Sequence, residues 1–263
     1  MNYFIEGLQG SGKSTIAARL ADMIPGAYLF AEGDYSPVEL AWCAYMTREQ
    51  YAAEIKKFPS LKDEIANKTF WEGDRAIVCY TKIRTDAEGF YPAFEKYEIY
   101  NGRISPEEFR NIIFRRLSAW NGGGGIFECS LLQNMIEDFM LYYEMTDSEI
   151  IGFYREIAGI QREKEYRIVY LDAQDVPGTI DAVKKERCDE NGREIWYGML
   201  LEYIENSPFG RHNGLKGYDG LIRHLERRRS LELAVLREVF PGNHVILGSK
   251  NYTAEDLRAC VQA

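Results

Sequence analysis

Apolar positions along the chain recur with two different periods. Tyr3-Phe4-Ile5-Glu6 is a short apolar run bounded by Gly7, too short for a helix, and reads as a buried parallel strand. Beyond a glycine-rich turn, Ile16, Leu20, Met23 and Ile24 fall at i, i+4, i+7 and i+8, one helical face that Pro25-Gly26 stops. Ala27–Ala31, Gly125–Cys129, Arg167–Leu171 and His244–Leu247 are four further strand candidates. Ser105-Pro106-Glu107-Glu108 combines a serine cap, a first-turn proline and a glutamate three residues on, so a helix should run to about Trp120. Asn121 and Gly122–Gly125 then break the chain. Leu131–Glu144 reads as a helix. Thr146-x-x-Glu149 is a second capping box, followed by the face Ile150, Phe153, Tyr154 and Ile157. Helices are also expected over Thr179–Cys188, over 220–240 with Leu231, Val235 and Val239 on one face, and after Thr253-x-x-Asp256.

Residues 35–120 are less regular. Ser36-Pro37 suits the start of a helix through Val38, Leu40 and Trp42, and Arg75–Ile83 fits a strand or a buried helix equally well. Strands alternating with helices predict an α/β fold. The expected form is a three-layer sandwich around a five-stranded, mostly parallel sheet. In organisation this is one domain over 1–263, with a helical insertion at 35–120.

The length of 263 residues fits one such domain with an insertion as well as two domains. A net charge of −9 argues against a broad basic nucleic-acid surface. No apolar run approaches the roughly 18 residues of a membrane span. The segment Met1–Glu6 has neither the basic nor the long apolar region of a secretory signal. Five cysteines, Cys43, Cys79, Cys129, Cys188 and Cys260, are scattered and form no C-x-x-C, and the three histidines do not pair at ligand spacing. These features lead us to expect a cytoplasmic protein without a structural metal. Oligomeric state stays open, a homo-oligomer included.

Gly7-Leu8-Gln9-Gly10-Ser11-Gly12-Lys13-Ser14 fits G-x-x-x-x-G-K-[ST] at every fixed position, between a predicted strand and a predicted helix. Glycines let backbone N–H groups turn inward around a phosphate, and the helix start supplies more donors. Gly7, Gly10, Ser11, Gly12, Lys13, Ser14 and Thr15 are therefore the candidate ATP-binding residues. Lys13 should reach the β- and γ-phosphates and Ser14 the Mg²⁺ ion. A chance loop ahead of a core helix would leave both the match and its context unexplained.

At this point the chain resembles the P-loop kinases of nucleosides, nucleotides and other small molecules. The stretch Phe4–Thr15 is similar to the opening of thymidylate kinases. Glu32-Gly33-Asp34 resembles the D-G-D segment of gluconate and adenylylsulfate kinases, a place that also carries a substrate-facing acid in chloramphenicol phosphotransferase and deoxynucleoside kinases. Glu128-Cys129-Ser130 is similar to the E-R-S of deoxynucleoside kinases. Tyr170-Leu171-Asp172 with Ile180–Arg187 resembles the strand, helix and arginine-bearing lid of both kinase types. The resemblance covers about half of the chain, and 43–104 and 195–240 match none of it. Cys129 stands where those kinases carry arginine. The D-R-[YH] of thymidylate kinases and the N-K-x-D of G proteins are absent.

The resemblance implies phosphoryl transfer from ATP, with Mg²⁺, to a small-molecule acceptor. Ligands of a parallel sheet collect beyond its carboxyl ends, where the candidate acids fall. Asp34 or Glu32 would orient the acceptor and take its proton. Glu128 would hold a Mg²⁺-bound water, and Lys13 with Arg187 and Arg193, from a lid at 175–195, would supply positive charge. Each has a plainer alternative: Asp34 as a cap ahead of Ser36, Glu32 as a solvated loop acid, Glu128 as a strand-end acid bonded to a neighbouring helix, and the arginines as a solvated helix end. Arg162 and Lys164 are more remote candidates for the phosphates. Gly248–Asn251 would border adenine. Glu72-Gly73-Asp74 reads as a turn or an acceptor-pocket segment. Trp42, Tyr45, Trp71 and Tyr80 read as core or as a stacking surface, and Arg227-Arg228-Arg229 as a solvated face. The functional expectation is an ATP-dependent phosphotransferase acting on a hydroxyl or phosphate. A nucleoside or nucleoside-monophosphate kinase is the first alternative, and a nucleotide-binding NTPase or regulator the second.

Overall fold

The computed structural model of the protein describes residues 1–262. The chain forms two compact units, one from Met1–Leu29 together with the chain from Gly122 onward, the other from Phe30–Asn121. In chain order the first unit opens with β1 (Asn2–Gly7), α1 (Lys13–Met23) and β2 (Tyr28–Phe30). The second unit holds β3 (Ala44–Thr47), α2 (Arg48–Ile55), α3 (Lys62–Asn67), β4 (Thr69–Glu72), β5 (Arg75–Val78), α4 (Phe90–Glu95) and α5 (Pro106–Ala119). The first unit resumes with β6 (Gly125–Glu128), α6 (Gln133–Leu141), α7 (Asp147–Gln161), β7 (Tyr166–Asp172) and α8 (Val176–Glu186). It ends with α9 (Ile195–Asn206), α10 (Pro208–Asn213), α11 (Gly217–Val239), β8 (His244–Gly248) and α12 (Ala254–Gln262).

The first unit is an α/β layered structure on a five-stranded parallel sheet of order β2-β6-β1-β7-β8. β1 lies at its centre, with Ile5 against Glu128 of β6 and Gly7 against Leu171 of β7. All six residues of β1 are buried, with the apolar run Tyr3-Phe4-Ile5 flanked by the buried polar residues Asn2 and Glu6. Its side chains still alternate between faces. Tyr3 and Ile5 pack with Ile16, Ala17 and Leu20 of α1 and with Leu257 and Cys260 of α12. Phe4 stacks on Phe127 at 5.1 Å and meets the edge of Tyr166, and Phe240 packs against both Tyr154 and Tyr166. Each such buried side chain is worth about 1.5–3 kcal/mol of hydrophobic transfer.

The expected caps are present. Ser105 accepts from the Glu108 N–H at the start of α5, and Thr146 and Glu149 cap α7 reciprocally. A further capping box, Thr47 with Gln50, starts α2.

The second unit departs from expectation in two places. No helix follows Ser36-Pro37: residues 36–43 are irregular. Ser36 Oγ accepts from the Val38 N–H and the Glu39 carboxylate from the Ala41 N–H, so side chains capture the amides a helix would need. The insertion is also not helical alone. Arg75–Ile83 resolves into β5 and a single 3₁₀ turn, and β5 is the middle strand of an antiparallel sheet of order β3-β5-β4.

Three buried carboxyls make stability pH-dependent. Burial pushes Glu6 up to about 7, Glu39 up to about 8 and Glu98 up to about 7, against an ordinary value of 4.5. A raised folded-state value means the contribution is complete below the unfolded value and is lost as pH rises through 7–8. The thermal midpoint should therefore fall between about pH 4.5 and pH 8 and level off above that, and Glu39→Gln should flatten part of that slope. Scanning calorimetry across this range checks it; a midpoint independent of pH in both proteins contradicts the assignment.

Candidate functional site

The glycine-rich loop leaves β1 under a tight steric constraint. Gly7 sits at φ 137°, and a Cβ there would lie 2.6 Å from the Leu171 carbonyl oxygen. Gly10, at φ 77°, would place a Cβ 3.0 Å from Cβ of Val183 on α8. Gly12, at φ 96°, is the residue ahead of α1. All three conformations favour glycine. The Lys13 side chain is buried and its ammonium folds back to donate to the carbonyls of Gly7 (3.0 Å) and Leu8 (2.7 Å). Ser11 N–H turns inward to the Leu8 carbonyl, and Ser11 Oγ is buried without a hydrogen-bond partner, so this side chain faces the protein.

α1 starts without a side-chain cap and without an acid in its first turn. Its leading N–H groups have no intrahelical carbonyl to bond, and the helix dipole adds positive potential there. Ser14 and Thr15 are exposed on that turn. Ser14 donates its hydroxyl hydrogen to the Glu128 carboxylate at the end of β6. A hydroxyl and a carboxylate in contact are hard oxygen donors, the ligand type Mg²⁺ takes. The segment after β8 closes on the same loop: Ser249 Oγ donates to the Ser11 carbonyl and Ser249 N–H to the Asp172 carbonyl.

Beneath the loop lies a buried charge network that the sequence reading placed in solvent. Arg227 meets that reading, being partly exposed with Asp147 as its partner. Arg228 overturns it. Its guanidinium is fully buried, donates to Glu137 (2.5 Å) and to Gln9 Oε1 (2.7 Å), and lies 3.1 Å from Glu232. His224 Nε2 is 3.1 Å from Glu137, and the Tyr170 hydroxyl donates to Glu232 at 2.7 Å. Burial works to raise Glu137, but the charges of Arg228 and His224 outweigh it and hold the carboxyl down at about 2. Arg229 bridges both carboxylate oxygens of Asp172. The signal that marks the network is spacing: His224, Arg228 and Glu232 are at i, i+4 and i+8, on the face of α11 that also buries Leu221, Leu225 and Leu231. Gln9 occupies a variable position of the motif, so the motif alone did not single it out.

A second missed residue is Glu6. Its carboxylate accepts the N–H groups of Leu131 and Gln133, closing the start of α6 from the end of β1. Cys129, at φ 56°, makes the turn between Glu128 and that helix.

The remaining candidates have other partners. Glu32 and Asp34 belong to the second unit. Asp34 is paired with Lys82 at 3.3 Å, and Glu32 accepts the Trp42 indole N–H at 2.9 Å. With no helix after Ser36, the reading of Asp34 as a cap falls away. The proposed lid divides. Val176, Ile180 and Val183 of α8 are core residues packed with Leu8, whereas Arg187 and Arg193 are exposed. Arg187 lies 4.8 Å over the Trp196 ring and Arg193 bonds Asp189 at 2.7 Å. Arg162 and Lys164 precede β7 and so lie at the amino edge of the parallel sheet, opposite the loop. Trp42 and Trp71 are exposed, and Tyr80 is core, its hydroxyl bonded to Glu98. Glu72 ends β4 and pairs with Arg116 and the Tyr35 hydroxyl.

Comparison with protein-family models and with curated proteins finds no match. Among the described residues no helix is long and apolar enough to cross a membrane.

The network beneath the loop sets an energetic expectation. Arg228→Met leaves Glu137 and Glu232 buried without their guanidinium and should cost about 3–5 kcal/mol. Adding Glu137→Gln should recover part of that loss. Urea denaturation of the two variants checks both; an Arg228→Met chain as stable as the parent shows that the buried pairing contributes nothing.

Proposed function

We propose that the protein is an ATP- and Mg²⁺-dependent phosphotransferase of the P-loop kinase type, moving the γ-phosphoryl group to a hydroxyl or phosphate of a small molecule. The observation that carries this reading is the loop from Gly7 to Ser14. Three glycines in left-handed backbone, an ammonium folded over the loop and an uncapped helix start converge where Ser14 meets Glu128. Backbone N–H groups at such a turn favour a polyanion.

In this reading the amides of the loop and of the first turn of α1 hold the phosphate oxygens of ATP. Lys13 exchanges its two loop carbonyls for phosphate oxygens. Ser14 and Glu128 would hold Mg²⁺, which when bound neutralises charge across the β- and γ-phosphates. Gln9, held by Arg228, keeps the loop in one conformation before any ligand arrives. Asp34 is assigned the proton of the acceptor hydroxyl, and Lys82 orients that carboxylate. Arg187 and Arg193 supply charge only by giving up Trp196 and Asp189.

Lys13→Ala should reduce transfer by about 10²-fold or more. Asp34→Asn should lower kcat by about 10²-fold with little change in the KM for ATP. ATP turnover measured with and without a panel of nucleosides, nucleotides, sugar acids and aminoglycoside-like alcohols reads both variants and the acceptor class together. Turnover stimulated only by nucleosides or nucleotides selects the nucleoside-kinase form. Steady hydrolysis that no acceptor stimulates selects the NTPase alternative. Full activity of Asp34→Asn on the preferred acceptor removes Asp34 from the chemistry.

A further inference from the structure

Two cysteines of the second unit stand opposite each other at the end of a strand pair. β3 and β5 run antiparallel with Thr47 against Arg75, Met46 against Ala76, Tyr45 against Ile77 and Ala44 against Val78. One step further in the same register sets Cys43 against Cys79. Their sulfur atoms are 3.7 Å apart, and both side chains are buried. Directly opposed residues of antiparallel strands have Cα atoms about 4.5–5.5 Å apart, inside the window of about 4.4–6.8 Å that a disulfide spans. Closing the sulfurs from 3.7 Å to a bond needs a movement of about 1.7 Å, which side-chain rotation at a ladder end can supply.

The surroundings distinguish the two thiols. Cys43 Sγ lies 3.7 Å from the Gly33 carbonyl and 3.8 Å from the Asp34 carbonyl, and it donates to Cys79. That hydrogen bond holds the Cys79 thiol below its ordinary value against burial and the Asp34 charge, which both push it up, with the charges of Lys68 and Lys82 adding to the lowering. The same contact and burial push Cys43 well up. Cys79 therefore has the greater thiolate character, and nucleophilicity follows the thiolate.

We propose that Cys43 and Cys79 are a reversible dithiol–disulfide site that takes a hydroperoxide as its oxidant, with Cys79 as the attacking sulfur and Cys43 as the resolving one. The Cys79 thiolate attacks a peroxide oxygen, the O–O bond breaks, and the departing hydroxide takes a proton and leaves as water. Cys79 is then a sulfenic acid. The Cys43 sulfur attacks the Cys79 sulfur, the S–O bond breaks, and the leaving hydroxide takes the Cys43 proton to depart as a second water, the two thiols having given up two protons and two electrons in all. Six of the eight residues in the irregular segment 36–43 are buried and Trp42 is exposed, so in this proposal the oxidant reaches the sulfurs when that segment opens. The bond draws Cys43 away from the Gly33 and Asp34 carbonyls and fixes the segment that carries Asp34 to the one that carries its partner Lys82. The site needs no nucleotide and stands apart from the phosphoryl-transfer reading.

The test is brief treatment of the full chain with hydrogen peroxide, followed by intact-mass measurement and mapping of linked peptides. The expected product has lost two hydrogens, joins Cys43 to Cys79, and regains both thiols on adding dithiothreitol, so that two of five thiols are consumed. In Cys43→Ser the sulfenic acid persists at Cys79 and is trapped by dimedone. In Cys79→Ser neither crosslink nor dimedone adduct forms at Cys43. Melting curves establish that each variant is folded, and mapping of the unsubstituted chain decides the question should a variant fail to fold. Oxygen added at the half-exposed Cys188 while Cys43 and Cys79 stay reduced overturns the proposal. So does a crosslink to a different cysteine, and dimedone on Cys43 in Cys79→Ser reverses the assigned roles and overturns them.

Discussion

The close approach of Gly7 to the carbonyl of Leu171 governs what the first unit can do at its sheet edge. β1 is the central strand, hydrogen-bonded on both sides, so the chain cannot escape sideways when the strand ends. It turns within one residue, and the oxygen of the neighbouring strand occupies the space a Cβ would take. A side chain at position 7 would force β1 from β7 or push the loop outward. With glycine there, the loop stays low over the sheet edge. The carbonyls of Gly7 and Leu8 then come within reach of the Lys13 ammonium, and α1 starts close enough for Ser14 to meet Glu128.

A loop that low has its underside in the protein interior, and the interior side is polar. Burying Arg228, Glu137, Glu232 and His224 together is costly in desolvation, and their mutual ion pairs and hydrogen bonds offset part of that cost. Helix α11 brings three of these groups from one face, α6 brings the fourth, and Tyr170 of β7 bonds Glu232. A second nitrogen of the guanidinium donates to Gln9. Stability of the layer and conformation of the loop are thereby coupled. Loss of a charge in α11 would be felt in a loop more than two hundred residues earlier in the chain. Glu6 performs the corresponding task on the other side of the strand end, where its carboxylate closes α6.

The parallel frame was legible in the sequence because strands buried on both faces read as short apolar runs, and because Ser105, Thr146 and Thr253 announce helices by cap chemistry alone. The loop was legible for a similar reason: steric need for glycine leaves a spaced signature. Legibility failed where side chains and tertiary context compete with local pattern. Ser36 and Glu39 bond their own backbone and prevent the helix that Pro37 suggests. Arg75–Ile83 has the length of either element, and only pairing with β3 and β4 makes its first half a strand. Three consecutive arginines look solvated by composition. Their different fates depend on phase along α11, which places Arg228 in line with His224 and Glu232. Of the candidate acids, Glu128 could be placed by its position after a strand, but the partners of Glu32 and Asp34 come from residues 42 and 82, which no local spacing reveals.

Those partners also separate the two acids chemically. The Glu32 carboxylate accepts from the indole of Trp42, a residue held at φ 64°, where a bulky side chain is strained by about 1–2 kcal/mol. The strain persists because its surroundings hold it: the Trp42 carbonyl accepts from Thr81, and the next residue, Cys43, packs on Cys79. Glu32 is thus one tie among several at a strained turn. Asp34 is tied by one half-exposed ammonium on a long flexible side chain, a partner that can yield to a competing hydroxyl or phosphate without disturbing the backbone. Of the two carboxylates, Asp34 has the partner that exchanges more readily. The strained residue Trp42 thus lies in a segment that carries an acid paired with a flexible lysine and one of two opposed thiols.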